Sequence, residues 1–242
     1  MNNTFDHLIL IGRCGGGKSE FIDFIKKLDL PERISKFNIG KISETDDFVW
    51  LWEKFEEDDF WEKLGKGRRY SKVNSDGYVV SDGSLLDFLF LKFNHEIKKK
   101  YLSKSEFYQD STLFIEFARG KDQDGGYKKA LELFSKEVLE KAAVIYIKVS
   151  YEEARRRNIA RYEEKLRSSV LAHRLPEEDM VRFTATDDWD EIAEGRTKGK
   201  IEFNGIAVPF VTVLNEPEIK DPIQLQKRYA SHLKDLWELY SK

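Results

Sequence analysis

The residues best suited to chemistry form one short stretch near the start of the chain, at 12–19, with the sequence GRCGGGKS. Its spacing is G-x-x-x-x-G-K-[ST]; the apolar run 8–11 precedes it, and apolar residues at helical spacing follow it from 21 to 28. A strand, a glycine-rich turn and a helix in that order are the setting of a phosphate-binding loop. The stretch therefore predicts binding of a nucleotide or another phosphorylated ligand. The alternative is a glycine-rich turn that carries a lysine by accident.

Each residue of this glycine loop (residues 12–19) has an expected role in holding that ligand. Glycine lets the backbone turn tightly and bring successive N–H groups onto a phosphate. Lys18 is expected to reach the terminal phosphates and the Ser19 hydroxyl to ligate Mg²⁺, while the helix that begins near Ser19 directs its positive end at the anion. The predicted ligand-binding residues are Gly12, Arg13, Cys14, Gly15, Gly16, Gly17, Lys18 and Ser19.

The composition of the chain argues against several classes of partner. Its 242 residues are 40% hydrophobic, with 41 basic and 44 acidic side chains and a formal charge of -3. That balance gives no broad electrostatic signal for nucleic acid or membrane, although a local basic site remains open. Cys14 is the only cysteine, so no intrachain disulfide forms, and neither a charged-then-apolar leader nor an apolar run near 18 residues is present. We therefore expect a soluble, cytoplasmic protein without a membrane partner.

Apolar strands alternate with amphipathic helices along the chain. This alternation predicts a parallel sheet covered on both faces. We expect a single domain over residues 1–242, of the α/β class, with three α/β/α layers around a five-stranded, mostly parallel sheet. The predicted strands are 8–11, 34–39, 112–117, 144–149 and 206–214, the last being the second arm of a hairpin that begins at 201.

Ligands of such sheets bind at the carboxyl ends of the strands, so the residues there are the candidates for chemistry. Glu116 lies at the end of an apolar strand, where it could hold a Mg²⁺-bound water; the alternative is an ion pair with an arginine at the sheet edge. Arg157 and Arg161 belong to a predicted helix after the next strand and share one face. They could stabilise the charge of a moving phosphoryl group, or they could belong to a solvated basic helix.

Two aspartates compete for the role of a general base towards a hydroxyl acceptor. Asp82 lies between a predicted strand and a predicted helix, and we expect it to be catalytic. Asp46 follows the predicted second strand and is the competitor. Each also has a structural interpretation, because Asp82 can shape a turn and Asp46 can cap the following helix.

These features, taken in order, resemble the P-loop kinases that phosphorylate nucleotides, nucleosides and other small molecules. The resemblance consists of the glycine loop, a second strand soon after it, a third strand that ends in Glu116 and leads to Arg119, and a fourth strand followed by arginines spaced like Arg157 and Arg161. It covers most of the chain. The residues EFAR at 116–119 depart from the Asp-Gly-x-Pro-Arg pattern of nucleoside-monophosphate kinases, so a monophosphate acceptor is not specified.

The resemblance implies a P-loop NTPase fold with ATP and Mg²⁺ as cofactors. It also implies a helical substrate-binding insertion at 41–110 and an arginine-rich lid at 151–200. Asp46, Arg119 and Arg174 are the residues that would bind substrate.

The leading hypothesis is an ATP- and Mg²⁺-dependent kinase that acts on a nucleoside, a nucleotide or another small molecule. One alternative is a kinase of polynucleotide ends, since the segment 173–183 resembles the lid of polynucleotide-kinase-type members; nucleic acid is nevertheless not the favoured partner. Another alternative is a regulatory module that binds ATP or GTP and hydrolyses it slowly. The sequence leaves the acceptor and the oligomeric state open.

Overall fold

The computed structural model of the chain describes residues 3–75, 77–121, 125–166 and 176–242. Its strands are β1 (His7–Gly12), β2 (Lys41–Asp46), β3 (Ser71–Asn74), β4 (Gly77–Val80), β5 (Ser111–Phe117), β6 (Ala142–Lys148), β7 (Lys198–Phe203) and β8 (Ile206–Leu214). Within the described residues, six strands form one sheet in the order β2, β5, β1, β6, β8, β7, and β3 and β4 form a separate antiparallel hairpin. Neighbours in the large sheet are parallel except β7 and β8.

Helices cover both faces of this sheet. Those in the described part of the chain are α1 (Lys18–Lys26), α2 (Leu30–Phe37), α3 (Asp47–Lys63), α4 (Ser84–Ile97), α5 (Gly126–Glu132), α6 (Lys136–Leu139), α7 (Tyr151–Leu166), α8 (Glu177–Thr184), α9 (Trp189–Ile192) and α10 (Pro222–Tyr240). A π-helical turn, Lys98–Leu102, and a 3₁₀ helix, Ser105–Gln109, connect α4 to β5. None of the helices described has the combination of length and apolar character that a membrane span requires.

The central strand β1 divides the interior into two apolar cores. All of its residues are buried, and successive side chains of a strand point to opposite faces. Ile9 and Ile11 pack with residues of α4, α5, α6 and α9, whereas Leu8 and Leu10 pack with residues of α1, α2 and α10. A strand that is apolar on both faces has to be covered on both, which confirms the predicted α/β class with a mostly parallel sheet.

The sheet of the described residues has six strands, so the prediction of five was wrong. The additional strand is β7, the first arm of the predicted hairpin, which pairs antiparallel with β8 in the register Ile201 to Val208. The sequence pattern indicated both arms but not that the first arm would join the sheet. It lies at the sheet edge, where half of its residues are exposed, and its apolar content is accordingly low.

The prediction of a strand at 34–39 was also wrong. Leu30–Phe37 forms the helix α2, and the second strand of the chain is β2, which begins at Lys41. The side chain of Asp29 caps α2 by accepting a hydrogen bond from the backbone N–H of Glu32 at 2.8 Å, and Pro31 lies in the first turn, where proline is tolerated. The strand β2, with the sequence KISETD, lies at the other sheet edge and has Ile42 as its single apolar residue. Its sequence therefore lacks the apolar run by which a central strand is recognised.

The segment between β2 and β5 positions one wall of the site described below. The carboxylate of Asp58, fully buried on α3, accepts the backbone N–H groups of Arg69, Tyr70 and Ser71 at 2.9, 2.8 and 2.7 Å. Burial acts to raise the pKa of Asp58, but these hydrogen bonds outweigh it and lower the pKa. They hold the β3–β4 hairpin against α3.

The hairpin in turn holds α8. The backbone N–H of Val80 donates to Asp179 Oδ2 at 3.1 Å, and Arg182 Nη1 donates to the carbonyl of Val80 at 3.1 Å. The backbone of Gly120 also lies against α8, since a Cβ at Gly120 would overlap the carbonyl oxygen of Arg182. These contacts place Phe183, one residue further along α8, beside the carboxyl end of β5.

Asp58→Ala should lower the free energy of unfolding by about 3 kcal/mol, because it leaves the buried N–H and hydroxyl of Ser71 and the part-buried N–H groups of Arg69 and Tyr70 without an acceptor, and a buried group without a partner costs roughly 1–3 kcal/mol. Urea unfolding followed by circular dichroism at pH 7 measures this loss. The control is Glu57→Ala on the same helix, where a half-exposed carboxylate pairs with Lys54 and the expected change is within about 0.5 kcal/mol. Equal losses in the two variants would contradict the assigned role of Asp58.

Candidate functional site

A cavity of about 220 Å³ lies at the carboxyl ends of β1, β2 and β5. The sheet register produces this convergence, because Asp46 pairs with Glu116 and Glu116 pairs with Leu10, just before the glycine loop. Side chains of α3, α4, α7 and α8 complete the walls. The cavity therefore joins the predicted phosphate-binding loop to the acidic ends of two neighbouring strands.

The backbone of the glycine loop touches other elements so closely that side chains are excluded there. A Cβ at Gly15 would lie 2.5 Å from the carbonyl oxygen of Ala154 in α7, and a Cβ at Gly17 would lie 2.3 Å from Asn215 Nδ2. Both glycines have positive φ, 81° and 104°, which residues with a Cβ rarely adopt. Cys14 lines the cavity and packs against two of the apolar clusters, and burial raises the pKa of its thiol.

The ammonium group of Lys18 is buried at the mouth of the loop, with 7% of the residue exposed. Its Nζ donates to the carbonyl oxygens of Gly12 at 2.9 Å and Arg13 at 3.2 Å, and lies 3.9 Å from Glu116 Oε1. A buried positive charge needs anionic or polar partners, and in the present arrangement the loop and Glu116 supply them. The same charge is available to an anion that enters the cavity.

Three carboxylates share the cavity with Lys18: Asp46, Asp47 and Glu116. Burial, followed by the nearby charges of Asp47 and Glu116, raises the pKa of Asp46 to about 7. Burial also raises the pKa of Glu116, although Lys18 and a hydrogen bond from Ser19 act in the opposite direction. One oxygen of Asp46 accepts the backbone N–H of Phe48 at 2.8 Å, so this residue also caps α3, as its alternative interpretation predicted.

The predicted metal ligands Ser19 and Glu116 lie together, with Ser19 Oγ donating to Glu116 Oε1 at 3.4 Å. A hydroxyl and a carboxylate are hard oxygen ligands and fit Mg²⁺, which keeps several waters and uses one or two protein groups plus phosphate oxygens. In the described part of the chain, no group of three or more His, Cys, Asp or Glu side chains could hold a metal ion. A metal here would therefore depend on oxygens from a bound ligand or water.

Two arginines that were expected to meet the ligand have buried structural partners. Arg13, in the glycine loop, pairs with Asp187 at 2.8 Å and donates to the carbonyl oxygen of Thr184 at 2.7 Å. Arg157 pairs with Glu153 and donates to the backbone carbonyl of Asn215, each at 2.7 Å. Neither side chain lines the cavity; the first anchors the loop to the end of α8 and the second anchors α7 to the end of β8.

The other predicted residues are distributed unevenly around the cavity. Arg161, Arg119 and Asp46 line it, and Arg161 pairs with Glu20 at 3.2 Å. Asp82 does not line it; its carboxylate accepts the backbone N–H of Ser84 at 2.9 Å and the hydroxyl of Ser84 at 2.7 Å, which is the turn-shaping role that the sequence left open. Arg174 lies outside the described residues.

Asn215 supports the glycine loop although it does not line the cavity, and it was not among the predicted site residues. Its Nδ2 donates to the carbonyl of Gly16 at 2.9 Å, and its Oδ1 accepts from Arg228 Nη1 at 2.8 Å. It therefore ties the glycine loop to α10, and through Arg157 to α7. The available signal was its position directly after the last core strand, at the sheet end where ligands bind.

Asp47 was also missed as a site residue. It is buried, and its Oδ2 lies 2.7 Å from Arg119 Nη1. Burial raises the pKa of Asp47, although Arg119 acts in the opposite direction. In the sequence Asp47 is one of several acids near the start of α3, and nothing in their spacing separates a buried acid from a solvated one.

Comparison with known proteins gives matches among solved structures alone. No protein-family model matches the chain, and no curated protein sequence matches it. A sugar kinase from Janibacter sp. HTCC2649 is 12% identical, covers 97% of this chain and 98% of its own, and has a TM-score of 0.43. Shikimate kinase from Acinetobacter baumannii is 13% identical, covers 80% of this chain and 78% of its own, and has a TM-score of 0.35. Kinases are thus among the solved structures that resemble this chain, and similarity of this degree leaves the function to be argued from the site itself.

Gly17→Ala is expected to destabilise the protein more than Gly65→Ala, by about 1–3 kcal/mol, because its Cβ overlaps Asn215. Gly65 also has a positive φ, 71°, but a Cβ there would meet nothing within 4 Å, so that variant isolates the backbone strain. Urea unfolding of both variants at pH 7 measures the difference. Indistinguishable stabilities would show that Asn215 does not constrain the loop.

Proposed function

We propose that this protein is a phosphotransferase that moves a phosphoryl group from ATP to a hydroxyl of a small molecule. The observation that carries the proposal is the Asp46 carboxylate, with its pKa raised to about 7, in the same cavity as Lys18 and the glycine loop. A general base works best when its pKa is close to the operating pH. A phosphate acceptor is already anionic and needs mainly positioning, whereas a hydroxyl acceptor has to lose a proton. A carboxylate with a pKa near 7 therefore supports a hydroxyl acceptor.

The residues of the cavity divide the work of this reaction. Bound ATP would supply the phosphoryl group, and Mg²⁺ held by Ser19 and Glu116 would neutralise charge on the phosphates. The loop N–H groups and Lys18 would bind and orient the phosphates. Asp46 would accept the proton of the acceptor's hydroxyl group. As that proton leaves, the hydroxyl oxygen of the acceptor would bond to the transferred phosphorus, and the bond from that phosphorus to the leaving ADP oxygen would break. Arg161, at the α7 wall, would add positive charge beside the moving group.

The first test is transfer of label from γ-labelled ATP to a panel of nucleosides, nucleotides, small phosphometabolites and a short oligonucleotide. Label is expected on a hydroxyl-bearing small molecule. Lys18→Ala should lower kcat/KM by about 100-fold or more, equivalent to ~3 kcal/mol, because it removes a charge that contacts the transferring phosphates. Lys26→Ala, a half-exposed lysine of the same helix α1, is the matched control and should keep full activity.

Each other outcome of that panel has a definite meaning. Full turnover by a folded Lys18→Ala protein would refute the assignment. Label on the oligonucleotide alone would favour the polynucleotide-end kinase. Slow release of phosphate without a labelled acceptor would favour the regulatory nucleotide-binding module.

The second test uses the pH dependence of kcat/KM, which reports the ionisation of the free enzyme. Asp46 must be deprotonated to accept a proton, so kcat/KM should fall about tenfold per pH unit below about pH 7. Asp46→Asn should lower the rate by about 100-fold or more and abolish this acid limb. The same profile for Asp82→Asn separates the two candidate bases. The proposal fails if Asp82→Asn removes the limb and Asp46→Asn retains it.

A further inference from the structure

The charges that line the cavity restrict which acceptors can enter it. Among the described residues of the lining, the cationic side chains are Lys18, Arg119 and Arg161. Lys18 belongs to the glycine loop, and Arg161 lies on the α7 side, where it pairs with Glu20. Arg119 is therefore the cation that an anionic group of the acceptor could reach at the end of β5.

Arg119 is already bound by partners that an incoming anion would have to displace. Its Nη1 lies 2.7 Å from Asp47 Oδ2, and both side chains are less than a tenth exposed. The same nitrogen donates to the carbonyl of Ala118 at 2.6 Å, and the guanidinium lies over the rings of Phe90 and Phe117 at 4.7 and 5.6 Å. A carboxylate or phosphate near Arg119 would also meet the carboxylate of Asp47 at close range.

The remaining acids of the cavity act in the same direction. Asp46 and Glu116 line the same cavity close to the loop, so an anion that enters it meets their carboxylates as well as that of Asp47. Burying a further anion there without a partner is unfavourable. A cationic acceptor would pair with the same two carboxylates that the proposed reaction needs for the proton and the metal.

Part of the cavity wall is apolar and includes an aromatic ring that the fold leaves partly exposed. Leu51, Leu86 and Phe183 are almost completely buried, whereas Phe48 is 40% exposed although it lines the cavity. The ring of Phe48 contacts that of Trp52, one turn further along α3, with their centroids 6.2 Å apart. A ligand with an apolar face would cover Phe48 and gain the free energy of removing that surface from water.

We infer that the acceptor is a small, uncharged alcohol with an apolar face, that Phe48 and Phe183 hold this face, and that the Asp47–Arg119 pair excludes carboxylate- and phosphate-bearing acceptors. This inference rests on the proposed phosphotransferase function. A volume of about 220 Å³ agrees with a small acceptor, since sites for drug-sized ligands are roughly 300–1,000 Å³.

The experiment uses pairs of compounds in which one member carries an added anionic group. The pairs are nucleosides and their monophosphates, benzylic alcohols and their ring carboxylates, and cyclic polyols and their phosphates, with one amine-bearing alcohol as the cationic probe. Equilibrium binding by calorimetry and label transfer from ATP are measured for each. We expect the neutral member to bind at least tenfold more tightly in every pair that binds, and to be the one phosphorylated.

Two kinds of result would overturn the inference: preference for the anionic or cationic compound, or failure of every neutral compound to bind. Transfer to a phosphate- or carboxylate-bearing acceptor would leave the phosphotransferase standing while removing the inference. Selective binding of neutral alcohols without any transfer would remove the phosphotransferase and leave only the charge preference of the cavity standing. The two proposals therefore fail in distinguishable ways.

Variants test the two walls separately. Phe48→Ala should raise KM for the neutral acceptor about tenfold and leave KM for ATP unchanged, whereas Phe60→Ala, a 61% exposed phenylalanine of the same helix, should change neither. Asp47→Asn releases Arg119 and should raise the affinity for the anionic member of a pair about tenfold. If a folded Asp47→Asn protein keeps the preference of the wild type, the pair does not exclude anions. If that variant does not fold, the compound pairs and Phe48→Ala still decide.

Discussion

The close contact of the glycine loop with β6, α7 and Asn215 is the constraint on which the rest of the site depends. A Cβ at Gly12 would lie 2.4 Å from the carbonyl oxygen of Ile147 at the end of β6, and one at Gly15 would lie 2.5 Å from the carbonyl oxygen of Ala154, whereas at Gly17 the nearest atom is the side-chain Nδ2 of Asn215. Backbone in direct contact with backbone cannot shift without moving the neighbouring element. The loop thus takes its position from the sheet and from α7, and it fixes where the Lys18 ammonium can lie.

The acidic ends of neighbouring parallel strands then determine the chemistry of the cavity. Asp46 and Glu116 are register partners on the neighbouring strands β2 and β5, so they lie next to each other at the carboxyl end of the sheet. Burial makes a second negative charge there costly and raises the pKa of Asp46, while Lys18 offsets part of the cost at Glu116. The strand register therefore places Asp46 where its pKa is raised, and the raised pKa makes it a suitable proton acceptor.

The arginines around the site differ in whether their guanidinium groups already have buried partners. Arg13, Arg157 and Arg119 each have a buried partner of opposite charge or a carbonyl oxygen, whereas Arg161 lies at the cavity wall. A guanidinium removed from water needs such partners, and once they are satisfied an incoming anion has to compete with them. The arginines therefore support the loop, α7 and the wall of the cavity, and leave the acceptor end of the cavity without a free positive charge among its described residues.

The sequence alone determined those features that depend on near neighbours in the chain. The spacing of the glycine loop and the apolar runs of β1, β5 and β6 are local, so they specified the phosphate-binding motif and the α/β class. The polar edge strand β2 and the entry of β7 into the sheet were not predicted, because edge strands are partly solvated and lack a distinctive pattern. The helix at 30–37 was not predicted either, although its cap Asp29 and its early Pro31 are local signals. Only the tertiary structure decided between Asp46 and Asp82 as the residue in the cavity, since burial and the charge of a neighbour depend on which elements meet in space.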